Sequence, residues 1–153
     1  MAYDRADWHS GGKYPSDLPP ENGGTHIGFF LAWAIQRDLV GNLHREESSH
    51  ALDAVKSRRM TGRDFLFQQC DGKFWKDDLS DKGNAFAEAY YADKNGTYVN
   101  DLNDVLGRGL PSLYHVADSW ENFDKLAPLI DRRFKNWISS GSINDKKPWW
   151  RLW

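Results

Sequence analysis

The stretch Glu21–Ile35, ENGGTHIGFFLAWAI, constrains this chain more than any other. Ile27, Phe30, Leu31, Ala34 and Ile35 mark one helix face, and Phe29 and Trp33 fill another. A helix apolar nearly all round is stable only when neighbours cover every side. The run from Ile27 to Ile35 is far too short to span a membrane, so the cover has to be protein. Gly23–Gly24 are read as a tight turn, and Thr25 as an N-cap accepting from the Gly28 N–H. Gln36, Arg37 and Asp38 mark emergence into water, and Gly41 suits the end. The glycines resemble a phosphate loop only superficially. NGGTHIG lacks the lysine and spacing of a P-loop, and no strand precedes it.

The rest of the chain supplies that cover in short helices. A second helix starts at Ser48 or Ser49, with Ala51, Leu52 and Val55 as its stripe. MTGRDFLFQQC opens a third, with Thr61 and Asp64 at capping-box spacing and Asp71–Gly72 at its end. A fourth runs from about Ser80 to Ala92, and a fifth carries Tyr98, Leu102, Val105 and Leu106. Leu110 to Val116 reads as extended or irregular. Asp118 is placed as the cap of a last helix with apolar positions from Trp120 to Ile138, kinked or split near Pro128. Residues 1–24 are rich in Gly and Pro yet carry Tyr3, Trp8, Tyr14 and Leu18, the pattern of an ordered arm. The reading is all-α: one domain over residues 1–140, of five to six helices with an N-terminal arm and a short extended pair. A Trp-rich tail, 141–153, follows.

Composition excludes several function classes. A formal charge of −2 gives no global reason to bind nucleic acid or an anionic membrane. One cysteine, Cys70, leaves no internal disulfide and no multi-cysteine metal site. The opening MAYDRADWHSGGKYP lacks a basic region followed by an apolar one, so a cytoplasmic protein without a secretion signal is expected. Five histidines show neither i, i+4 pairing nor HExxH spacing, so no metal and no cofactor are expected. His44 and His50 lie in polar sequence and read as solvated. Cys70 sits near a helix C-terminus, the wrong end to stabilise a thiolate. Ser112 and His115 lack a nucleophile elbow. No catalytic residue is assigned. Of eight tryptophans, the internal ones Trp8, Trp33, Trp75, Trp120 and Trp137 read as core.

The segments DWHSGGKYP, LPPENGGTHIGFFLAWAI, RRMTGRDFL and GLPSLYHVADSWENFDKLAPLIDRRFKNW occur in this order over residues 3 to 138. Together they resemble a bacterial domain family of uncharacterised function, with no established catalytic residues to carry over. The resemblance implies a small stand-alone protein similar in character to the immunity proteins of polymorphic toxin systems.

Two functions follow as expectations. The first is a binding protein that neutralises a cognate toxin protein. Asp77, Asp78, Asp81, Asp101 and Asp104 would form an acidic face, and Trp149, Trp150 and Trp153 in the tail, which otherwise fold back onto the domain to tie down the terminus, would act as anchors. The second is an enzyme or small-ligand binder. Its pocket would lie between the arm and the first helix, lined by Trp8, His9, Glu21, His26, Tyr114 and His115. That pocket requires His26 and His115 to share a cavity.

Overall fold

The computed structural model describes residues 2–145. In chain order come β1 (Asp4–Arg5), α1 (Ala6–Ser10), a 3₁₀ turn (Pro20–Gly24), α2 (Thr25–Gln36), α3 (Asn42–Glu47), α4 (Ser49–Lys56) and α5 (Gly62–Cys70). Then follow β2 (Lys73–Phe74), a 3₁₀ turn (Lys76–Asp78), α6 (Asp81–Tyr90), α7 (Thr97–Leu102) with a π turn after it (Asn103–Gly107), a 3₁₀ turn (Leu113–His115) and α8 (Trp120–Ser140). The all-α architecture holds. Its extended pair is β1 against β2, antiparallel, with Asp4 opposite Phe74.

α2 is the axis of the fold, and every residue from Thr25 to Ile35 is buried. Phe30 stands at its centre, with ring contacts to Trp33, Phe74, Phe86, Tyr90, Tyr91 and Tyr98. On another side α5 crosses at Gly28 and Gly62. A Cβ at Gly62 would lie 1.8 Å from the Gly28 carbonyl oxygen, so only glycine permits this approach. α8 is clamped to α2 by Asp131, which accepts from Trp33 Nε1 at 2.8 Å and from Arg37.

Several local expectations change. Gly24 precedes α2, and Thr25 is its first residue, so Thr25 does not cap. The Pro20–Gly24 turn already leads the backbone into helical form, and the Thr25 hydroxyl instead faces Arg63 Nη1. α2 stops at Gln36 rather than at Gly41, because Asp38 adopts a left-handed conformation and Leu39–Val40 turn extended toward Leu79. Asp118 does not cap α8; Ser119 does, accepting from the Asn122 N–H. α8 runs unbroken through Pro128, which lies exposed. Thr61 caps α5 as expected, accepting from the Asp64 N–H at 3.1 Å. Trp33 is core, whereas Trp8 is 55% exposed and Trp75 40%. After α8 the chain turns back, and Ile143 is buried. Trp149, Trp150 and Trp153 lie outside the described residues.

Candidate functional site

The N-terminal arm is held because it delivers a carboxylate to the mouth of α2. β1 pairs with β2, the Tyr3 N–H donates to the Phe74 carbonyl at 2.7 Å, and Asp4 is thereby fixed beneath the arm. Asp4 accepts four hydrogen bonds. Oδ1 takes His9 Nε2–H at 2.7 Å and the Arg5 N–H at 2.8 Å. Oδ2 takes His26 Nε2–H at 3.0 Å and the Tyr91 hydroxyl at 2.7 Å. Burial opposes the charge on Asp4, but bonds from His26 and His9 outweigh it and hold the carboxyl well below its usual range.

His26 is 1% exposed, and burial drives its ring toward the neutral form against the pull of Asp4. Its one proton sits on Nε2, facing Asp4, so the unpartnered Nδ1 is a bare lone pair rather than a stranded N–H. His9 stands edge-on to His26, ring centroids 4.4 Å apart, and is the more exposed of the two. With its Nε2 donating to Asp4, Nδ1 faces the Tyr114 hydroxyl at 2.8 Å. Asn22 Nδ2 donates to the Tyr114 carbonyl, and Arg63 Nη1 donates to Asn22 Oδ1. Arm, α2, α5 and the Leu113–His115 turn are thus joined in one network.

Of the six residues expected to line a pocket, the fold gathers His9, His26 and Tyr114 around Asp4. It does not gather the others. Trp8 points outward under the Arg5 guanidinium, and Glu21 is exposed. His115 turns to Ser112 Oγ at 2.8 Å and Asp17 Oδ2 at 3.0 Å. His26 is closed into the core, so it shares no open cavity with His115.

A second cluster lies where α3, the end of α5 and the Lys76–Asp78 turn meet. His44 Nε2 is 2.7 Å from Asp78 Oδ1, and Cys70 Sγ is 3.7 Å from that nitrogen and 3.6 Å from that oxygen. His44 Nδ1 faces Ser48 Oγ at 3.0 Å, and the Trp75 N–H donates to Asp78 Oδ2 at 2.7 Å. His44 is 2% exposed, which corrects its reading as solvated. Burial, with Asp78 adding to it, pushes the Cys70 thiol far up. This triad and Asp4–His9–His26 each gather ligand-type atoms within 4.8 Å of one another.

The five acidic residues expected on one face divide. Asp78 is buried against His44. Asp101 is buried too, accepting from Arg133 Nε at 2.9 Å and Nη2 at 2.8 Å and from the Tyr90 hydroxyl. Neither can meet a partner, since both have turned inward to satisfy internal donors. Asp104 is exposed on the π turn after α7. Asp77 and Asp81 remain together at the surface. They line an open cleft of about 480 Å³ with Gly41, Asn42, Leu43, Lys76, Leu79 and Asn84. Arg45 lines the adjoining hollow. The cleft lining therefore carries both signs of charge together with apolar Leu43, which is 43% exposed. No helix among the described residues is long and apolar enough to cross a membrane.

Fold and sites define a small helical domain built on buried histidine–carboxylate networks beside an open, mixed-charge cleft. The chain belongs to the family described as Domain of unknown function (DUF7832), whose model matches residues 2–116. The match takes in the arm, α2 and both histidine clusters and ends before α8. No curated protein and no solved structure matches.

Proposed function

We propose that this chain is a protein-binding domain of the immunity type, which neutralises a cognate toxin protein by occupying part of its surface. The cleft between α3 and α6 carries the reading. A half-exposed leucine shares the cleft with Lys76, Asp77 and Asp81, and Arg45 lines the adjoining hollow, so apolar surface and both signs of charge lie side by side as in a protein interface. Charges of both signs select one complementary protein surface and give no general affinity for polyanions. The partner surface on this reading shrinks from five aspartates to Asp77, Asp81 and Leu43, with Asp104 lying apart on the π turn. The test is co-expression with a toxin encoded beside this chain. Cells should survive with the wild type and die with Leu43→Glu or Asp81→Arg. Death with the wild type, or equal protection by all three, would sink the reading.

A second reading, as an enzyme or small-ligand binder, has one observation in its favour. Tyr114–His9–Asp4 and Ser112–His115–Asp17 each line up hydroxyl, imidazole and carboxylate within hydrogen-bonding distance. A fluorophosphonate probe should label Ser112 or Tyr114, and His115→Asn or His9→Asn should abolish the label. No labelling would remove the hydroxyl-nucleophile enzyme that these two arrays suggest.

A further inference from the structure

We propose that His44, Cys70 and Asp78 form a binding site for one divalent transition-metal ion, zinc by donor type. The residues lie 26 and 8 positions apart, so no sequence spacing announces them. Imidazole, thiolate and carboxylate together are a zinc-type donor set. Zinc bonds of about 2.3 Å to sulfur and about 2.0–2.1 Å to nitrogen or oxygen, at tetrahedral angles, place sulfur about 3.5 Å from each lighter ligand. Sulfur here is 3.7 Å from His44 Nε2 and 3.6 Å from Asp78 Oδ1, so two edges of the tetrahedron are already set. The third edge is a direct hydrogen bond at 2.7 Å, and an ion in its place opens it by about 0.6 Å.

The outer contacts fit an ion as well. A metal-bound histidine gives its other N–H to a fixed acceptor, and Ser48 Oγ stands 3.0 Å from His44 Nδ1. Asp78 keeps one oxygen on the Trp75 N–H, which aims the other at the site. Asp4–His9–His26 lacks this fit. The His26 Nδ1 has no acceptor, and Asp4 is already filled by four donors. That cluster is complete without an ion.

On binding, the Cys70 thiol gives its proton to solvent, and His44 carries its proton on Nδ1, toward Ser48. The buried thiolate and carboxylate then face two positive charges, which offset the burial penalty and, after it, the Asp78 charge that oppose the thiolate. Three protein ligands leave a fourth position for water or a partner's side chain. Leu43 and Arg45 flank His44, and Asp77 and Leu79 flank Asp78, so the site adjoins the cleft. It does not depend on what the cleft binds.

The test is a titration of the chelator-treated full chain with Co²⁺, then Zn²⁺. One equivalent should bind, with a thiolate-to-cobalt charge-transfer band that zinc abolishes. Cys70→Ser should remove the band and weaken zinc at least tenfold. Ser48→Ala removes no metal-donor atom, only the acceptor on His44 Nδ1, and should weaken zinc about tenfold with circular dichroism unchanged. His9→Gln should change neither. Absence of both the band and a bound equivalent in folded protein would overturn the proposal. So would full affinity in Cys70→Ser and Ser48→Ala, or loss of binding in His9→Gln.

Discussion

Asp4→Asn is the sharpest probe of how the arm is held. Asp4 accepts from Arg5 N–H, His9 Nε2, His26 Nε2 and the Tyr91 hydroxyl, all at 2.7–3.0 Å. Asparagine keeps one acceptor oxygen and turns an N–H₂ group toward the other two donors. Bonds to a charged acceptor are worth about 1.5–3 kcal/mol each, so losing two costs about 3–6 kcal/mol. Part returns: with the amide nitrogen in the Oδ2 place the Tyr91 hydroxyl can rotate, and with it in the Oδ1 place His9 can exchange tautomers. His26, closed from water, recovers nothing. The expected loss is about 3–4 kcal/mol, or roughly 10 °C in Tm for a domain of this size. Urea unfolding at pH 7 should show the midpoint moving with an unchanged slope. The pH dependence fixes the cause. The folded-state pKa of Asp4 is depressed, so its stabilisation is present above the unfolded value of about 3.9 and lost as pH falls toward the folded one. The gap between wild type and variant should hold from pH 7 to 5 and narrow below about pH 4. A gap under about 1 kcal/mol at pH 7 would refute the four-donor account. A gap closing between pH 7 and 5 would place the effect on a histidine instead.

Three more outcomes are expected. Gly62→Ala should cost about 3 kcal/mol or more, read by thermal denaturation, because its Cβ meets the Gly28 carbonyl and α5 must back away from α2. Arg133→Met should cost about 3–5 kcal/mol in urea by stranding the buried Asp101 carboxylate. The Cys70 thiol, raised by burial and by Asp78, should react with a disulfide reagent far more slowly in the folded chain than in denaturant.

What was legible in the sequence followed from periodicity. α2 had to be central because no face of it was polar. Thr61 announced α5 by its spacing to Asp64, whereas the Ser80 cap of α6, accepting from the Gly83 N–H, is seen only in the structure. α3 escaped because six residues make too few turns to show a stripe, and His44 was misplaced with it. Asp78 and Asp101 were misread because a carboxylate aimed inward looks like its neighbour aimed outward. Only the fold shows that Arg133, 32 positions from Asp101, returns to pair with it. Asp4 carries no motif of its own. Its one signal is an acid five positions before His9 in an arm too aromatic to be free.

The proposed function turns on the cleft, and binding affinity for the cognate toxin tests it most directly. Calorimetry should compare the wild type with Leu43→Glu, in the cleft, and Ile138→Glu, a somewhat more exposed apolar position on α8 outside it. Burying a charge at an interface centre should weaken Leu43→Glu by at least about 2 kcal/mol, roughly thirtyfold in Kd. Ile138→Glu should bind like the wild type. Equal affinities for all three, or loss confined to Ile138→Glu, would contradict the assignment.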